Sequence, residues 1–153
     1  MAGQLALLLS ALGGRVCVEG REGETIVTAI ADGTAVAGQV VGIPIATGIA
    51  AGSDLGGFEF FTGIQLERYD TDCDTAPTAG LMIEVVIPKV GRRYNVAIEN
   101  PAGDLDAGYP FVFGDTAGNL EKGTNTLDVK AEARGFQGIA NTSRFADLIW
   151  GGA

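Results

Sequence analysis

The stretch Thr25 to Asp54, TIVTAIADGTAVAGQVVGIPIATGIAAGSD, restricts the possible folds more than any other part of the chain. Its only charged residues are Asp32 and Asp54. Short β-branched runs (Thr25–Ile30, Val40-Val41, Ile43, Ile45) alternate with breaks at Asp32-Gly33, Ala37-Gly38, Gly42 to Pro44, Gly48 and Gly52. Branching at Cβ stiffens Val, Ile and Thr and suits a pleated surface. Gly, Pro and Asp dipeptides punctuate such runs with turns. The intervals are too short for helices able to bury a face. The expected fold is all-β: a compact antiparallel β-barrel or sandwich of short strands joined by glycine-rich turns.

The chain has 153 residues, enough for one domain with a real core. It contains 24 glycines, about twice the usual share, without the strict period of collagen. Nineteen acidic and ten basic residues leave a formal charge of −9. Nucleic-acid binding needs a basic footprint, so that class is disfavoured. There is no histidine. This removes His-based triads, most neutral-pH general bases and the usual catalytic zinc sets. Cys17 and Cys73 are the only cysteines; they are compatible with one disulfide or with two free thiols.

Residues 1–14 hold an apolar run in which Leu5, Leu8, Leu9 and Leu12 would share a helical face. The run lacks a basic n-region and is too short to span a bilayer. It reads as a segment docked on its own domain, an arm onto a neighbouring subunit, or an atypical export signal. Residues 15–141 form the expected barrel or sandwich domain. Within it, Thr25–Ile30 is the first firm strand. Phe58-Glu59-Phe60-Phe61 and Ile64-Gln65-Leu66-Glu67 follow, with Phe58 and Phe60 facing the core and Phe61 a candidate contact residue. Gly80–Ile87 is a central strand ended by Pro88, and Val90–Ile98 carries Arg92, Arg93 and Tyr94. Tyr109–Phe113 is a short strand whose Pro110 suggests an edge. A hairpin surrounds Ala117-Gly118-Asn119, and Thr126–Ala133 alternates strictly. Residues 142–153 read as a C-terminal tail with a short helical turn, including Leu148-Ile149-Trp150. The count is eight to ten strands.

No catalytic set emerges, and the chain is not expected to be an enzyme or to hold a cofactor. Asp70, Asp72 and Asp74 resemble the start of a calcium loop, but the required Gly and distal Glu are missing. A solvated acidic loop is the simpler reading. Asp104 and Asp106 lack the groove and aromatic platforms of a glycosidase pair. Neither cysteine has a histidine to activate it. Arg92 and Arg93, near Lys89, read either as a charged strand edge or as salt-bridge donors to an acidic neighbouring subunit. Trp150 joins Leu5, Leu8, Leu9, Leu12, Phe61, Arg92 and Arg93 as a candidate contact residue.

The run Val36-Ala37-Gly38-Gln39-Val40-Val41-Gly42-Ile43, with Ile49-Ala50-Ala51-Gly52 and Phe58, resembles small capsid decoration (cement) proteins of tailed double-stranded DNA viruses. Arg93-Tyr94-Asn95-Val96 and Ala107-Gly108-Tyr109 suit the same pattern. The resemblance touches about half the chain. It implies a small β-barrel without an enzyme site that binds the outside of an icosahedral shell at junctions of the major capsid protein, often as a trimer. The implied location is the virion exterior after assembly in the host cytoplasm, with terminal arms reaching neighbours and no nucleic-acid or membrane contact. Other readings are a different virion part, such as a head-fibre base, tail or minor shell protein, or a secreted or cell-surface β-sandwich binding module.

Overall fold

The computed structural model describes residues 16–52, 60–67, 75–114, 118–124 and 131–151. Ten strands occur among them: β1 (Thr25–Ala31), β2 (Val40–Pro44), β3 (Ile49–Ala50), β4 (Phe60–Gln65), β5 (Met82–Ile87), β6 (Arg93–Ala97), β7 (Pro110–Phe113), β8 (Leu120–Lys122), β9 (Ala133–Gly135) and β10 (Phe145–Trp150). They form two five-stranded sheets, ordered β2-β4-β5-β1-β3 and β6-β10-β9-β7-β8. The all-β expectation holds.

The first sheet nearly closes on itself. Beyond β3, Ala51 bridges back to Gly42 of β2 through two backbone hydrogen bonds of 3.0 Å. The resulting small barrel is lined by Ala29, Ala31, Val41, Ile43, Ile83 and Val85. A five-stranded barrel is narrow, so its lining must be small. Gly63 shows how tight it is: a Cβ there would lie 2.4 Å from Val85 Cγ1 and 2.8 Å from the Val86 carbonyl oxygen. The buried Gln65 is satisfied locally, its Nε2 donating to the Ala35 carbonyl at 2.9 Å.

The opposite face of the barrel wall packs on the second sheet. Val40, Ile64 and Val86 join Tyr94, Phe111 and Leu148 in one larger core cluster. This explains the adjacent buried pairs Val40-Val41 and Val85-Val86. Their side chains point to opposite faces of a wall that is covered on both. Burial of each such side chain contributes roughly 1.5–3 kcal/mol. The second sheet is also joined across its ends, where Ile98, just after β6, bridges Leu120 of β8. Edges that would template strand addition are thereby shortened.

Four expectations need correction. The barrel is not wholly antiparallel: β1 and β3 are parallel, with Ile30 opposite Ile49 and Ala31 opposite Ala50. The Pro44–Gly48 turn sends the chain back alongside β1, where the Ile30 N–H donates to the Gly48 carbonyl at 2.9 Å. Residues 142–153 are not simply a tail. Within them β10 lies between β6 and β9, and its alternate residues Ala146, Leu148 and Trp150 are buried. No helical turn forms there among the described residues; residues 145–150 are extended. Finally, Pro110 does not mark a sheet edge. It opens β7, which lies between β9 and β8. Its missing amide is tolerated at that first position, and its carbonyl accepts from the Gly123 N–H at 2.7 Å.

Candidate functional site

The sequence placed contact residues at Arg92 and Arg93. Arg93 opens β6 and Arg92 immediately precedes it, beneath a turn formed by residues 17–24. Cys17 bridges Tyr94, and the Asn95 N–H donates to the Val16 carbonyl at 2.9 Å. The turn therefore lies along β6 and then feeds β1. Arg92 Nε meets Glu24 Oε1 at 2.6 Å and Glu19 Oε2 at 3.4 Å. Its Nη1 donates to the Glu22 carbonyl at 3.3 Å. Arg93 Nε lies 3.7 Å from Glu19 Oε1, and its guanidinium sits 4.2 Å from the centre of the Phe136 ring. The two arginines thus have acidic partners within their own chain. Lys89 Nζ likewise donates to the Gly23 carbonyl, and Arg21 Nη1 pairs with Glu84 Oε1 of β5 at 3.2 Å.

At the centre of this clamp is Tyr94, which is fully buried. Its hydroxyl donates to Glu24 Oε2 at 2.7 Å and accepts from the Lys89 N–H at 2.9 Å. Burial pushes the phenol well above its ordinary value; the Lys89 N–H works the other way, and Glu24 adds to the rise. The clamp therefore holds a neutral tyrosine against an acidic partner. Cys17, a free and buried thiol, is pushed up to about 12 by burial and then by Glu24 and Glu67. A thiol held in that state is a poor nucleophile.

A second feature lies at the far end of β1, and it is apolar. Ala29, Ala31, Ala50 and Ile83 line the barrel. Strand alternation therefore turns Ile30, Ile49 and Met82 outward. These three are in register across β3, β1 and β5. Met82 is 60% exposed and Ile49 39%, while Ile30 is half-buried. Two neighbours extend the row. Leu81, 44% exposed, immediately precedes Met82, and its carbonyl accepts from the Ala31 N–H at 2.8 Å. Ile45, 68% exposed, stands in the turn tied to Ile30 through Gly48. These exposed side chains gather at one end of the barrel, and the largest apolar patch on a monomer is often a functional one.

The other sequence candidates fall differently. Trp150 is 8% exposed and belongs to the large core, so its indole is not on the surface. Phe61 pairs with Ile43 in the β2–β4 ladder; its side chain lies outside the described residues. Leu5, Leu8, Leu9, Leu12, Cys73 and the Asp70, Asp72 and Asp74 series also lie outside them. Asp104 Oδ1 accepts from the Asn141 N–H at 2.9 Å, a local capping role. Among the described residues, no group of three or more His, Cys, Asp or Glu is placed to hold a metal ion. No helix among them is long and apolar enough to cross a membrane.

An open cleft of about 710 Å³ lies between the loop joining β1 to β2 and the second sheet, lined in part by Val36, Gln39, Ile98, Asn119, Arg144 and Phe145. Gln39 makes one local bond there and one that ties the β1–β2 loop to the residue before β8. Gln39 Oε1 accepts from the Val36 N–H at 2.9 Å, and its Nε2 donates to Asn119 Oδ1 at 3.1 Å.

The apolar row was missed in the sequence because its members come from three separate segments. The signal available was the out-of-phase residue in each strand: Ile30 between two alanines, Ile49 before Ala50, Met82 before Ile83.

No protein-family model and no curated protein matches the chain. Among solved structures, the chain is similar to the N base of the head fiber gp8.5 of bacteriophage phi29. The identity is 12%, the alignment covers 85% of this chain and 96% of that one, and the TM-score is 0.49.

Proposed function

We propose that the chain is a virion structural protein that binds the outer surface of an icosahedral capsid and reinforces the shell. The observation that carries this reading is the apolar row formed by the exposed Ile49 and Met82 with the half-buried Ile30 between them, on a barrel whose edge strands are bridged. Such a module meets a partner through side chains rather than by adding a strand. The sequence resemblance to capsid decoration proteins supplies the kind of partner, the major capsid protein at subunit junctions. Repetition by shell symmetry multiplies modest contacts into avidity, which suits a patch smaller than a standard protein interface. Self-association, as a trimer, belongs to the same reading. The acidic balance of −9 fits an exterior position away from DNA.

Co-sedimentation with mature empty shells that lack the protein tests this. The folded chain is expected to pellet with the shells and saturate at a symmetry-related copy number. Folded chain that stays in the supernatant would overturn the proposal.

A further inference from the structure

Resting on the shell-binding reading, we infer that the barrel end bearing Ile30, Ile49 and Met82 is the docking face, and that the protein surface receiving it is apolar at its centre and lined with Lys or Arg at its margin.

The apolar centre follows from the row itself. Three outward side chains in register on adjacent strands form a continuous strip, flanked by Leu81 and by the turn holding Ile45. The basic margin follows from how charge is distributed. Among the described residues no Lys or Arg occurs between Arg21 and Lys89, the interval that supplies all five strands of the barrel and that contains Asp32 and Glu84. Asp32 directly follows β1 at the end where the row sits. Burial opposes its ionisation, but hydrogen bonds from the Thr34 hydroxyl at 2.6 Å and from the N–H groups of Thr34 at 2.9 Å and Ala35 at 3.3 Å outweigh this and keep it charged. On the next outward row, Thr28 is opposite Glu84. Arg21 balances Glu84 from the clamp side.

The clamp cations Arg92, Arg93 and Lys89 are already engaged at the other end of the barrel. Two copies meeting through this same face would bring acidic margin against acidic margin. A partner that supplies its own cations gains from both apolar burial and charge.

The test uses the full chain and the same empty shells. The variant Ile49→Ser/Met82→Ser removes apolar surface from outward positions, so its thermal midpoint and circular dichroism should match the wild type. Its shell affinity should fall at least about tenfold. Thr28→Lys and Thr28→Glu then report the margin: the lysine variant should bind several-fold more weakly than the glutamate variant, and the gap should narrow at high salt.

Wild-type binding with an undiminished double-serine variant would overturn the face assignment while leaving the shell reading standing. Thr28→Lys binding as tightly as Thr28→Glu would overturn the basic margin. Sedimentation velocity adds a further arm: a wild-type oligomer that dissociates in the double-serine variant would give the face to a second copy and overturn the inference. Absence of wild-type binding would remove the shell reading, and this inference with it.

Discussion

Replacing Glu24 tests whether the clamp holds the two sheets together. The Glu24 side chain is only 1% exposed. It takes the Arg92 ion pair at 2.6 Å and the Tyr94 hydroxyl at 2.7 Å, so it joins the strand entering the barrel to the first strand of the second sheet. Removing one member of a buried pair costs about 3–5 kcal/mol when the other is left alone. Arg92 would not be left alone, because Glu19 lies at 3.4 Å and the Glu22 carbonyl at 3.3 Å. Glu24→Ala is therefore expected to cost about 2–3 kcal/mol. Glu24→Gln keeps an acceptor for Tyr94 and should cost about 1–2 kcal/mol. Tyr94→Phe leaves the Lys89 N–H without its acceptor and should cost about 1–3 kcal/mol. Urea unfolding followed through Trp150 fluorescence measures all three. For a chain of this size, Glu24→Ala should lower Tm by roughly 5–10 °C. The double variant Glu24→Ala/Tyr94→Phe should cost about 1 kcal/mol less than the sum of the singles. A Glu24→Ala chain within about 0.5 kcal/mol of wild type, or strictly additive costs, would refute the clamp.

Three further outcomes follow from other parts of the molecule. Gly63→Ala forces a methyl against the Val85 side chain and the Val86 carbonyl; it should destabilise by roughly 2–3 kcal/mol in urea unfolding, and a neutral result would mean the barrel wall is looser than described. In a Cys73→Ser background, the buried Cys17 thiol should resist Ellman's reagent at pH 8 until the chain unfolds, since its titration is pushed up to about 12; rapid native labelling would contradict this. Asp32 titrates below its ordinary 3.8 when folded, so its contribution is complete above that value and is lost as pH falls through the lower, folded one. Asp32→Asn should flatten the acid limb of the stability curve, and identical limbs for variant and wild type would deny Asp32 that role.

Much of the fold could be read from local chemistry. Thr25–Ile30 and Gly80–Ile87 have the branched side chains and turn-bearing flanks of strands, and they became β1 and β5, paired in register. β7 and β8 pair antiparallel on either side of the hairpin expected around Ala117-Gly118-Asn119, of which residues 115–117 lie outside the described ones. The unread parts depend on what meets across the fold. Leu148-Ile149-Trp150 looks like an apolar tail in isolation, yet it fills the gap between β6 and β9. The parallel pairing of the short β3 with β1 has no local signature, since only two residues make it. Arg92 and Arg93 look available in sequence, but Glu19 and Glu24 reach them through a turn that precedes β6 by some seventy residues. Thr126–Ala133 enters the described structure only at its end, where Ala133 begins β9. The candidate face was the least legible feature. An outward isoleucine and an inward one are the same letter until the register between strands is known.

The most direct measurement of the proposed role is a strand-resolved cryo-electron microscopy map of the virion that carries this chain. The expected result is density on the outside of the shell, with Ile30, Ile49 and Met82 against the capsid surface and the 17–24 clamp turned away from it. Density traced to this chain inside the shell, or outside it with that apolar row facing solvent, would contradict the proposal.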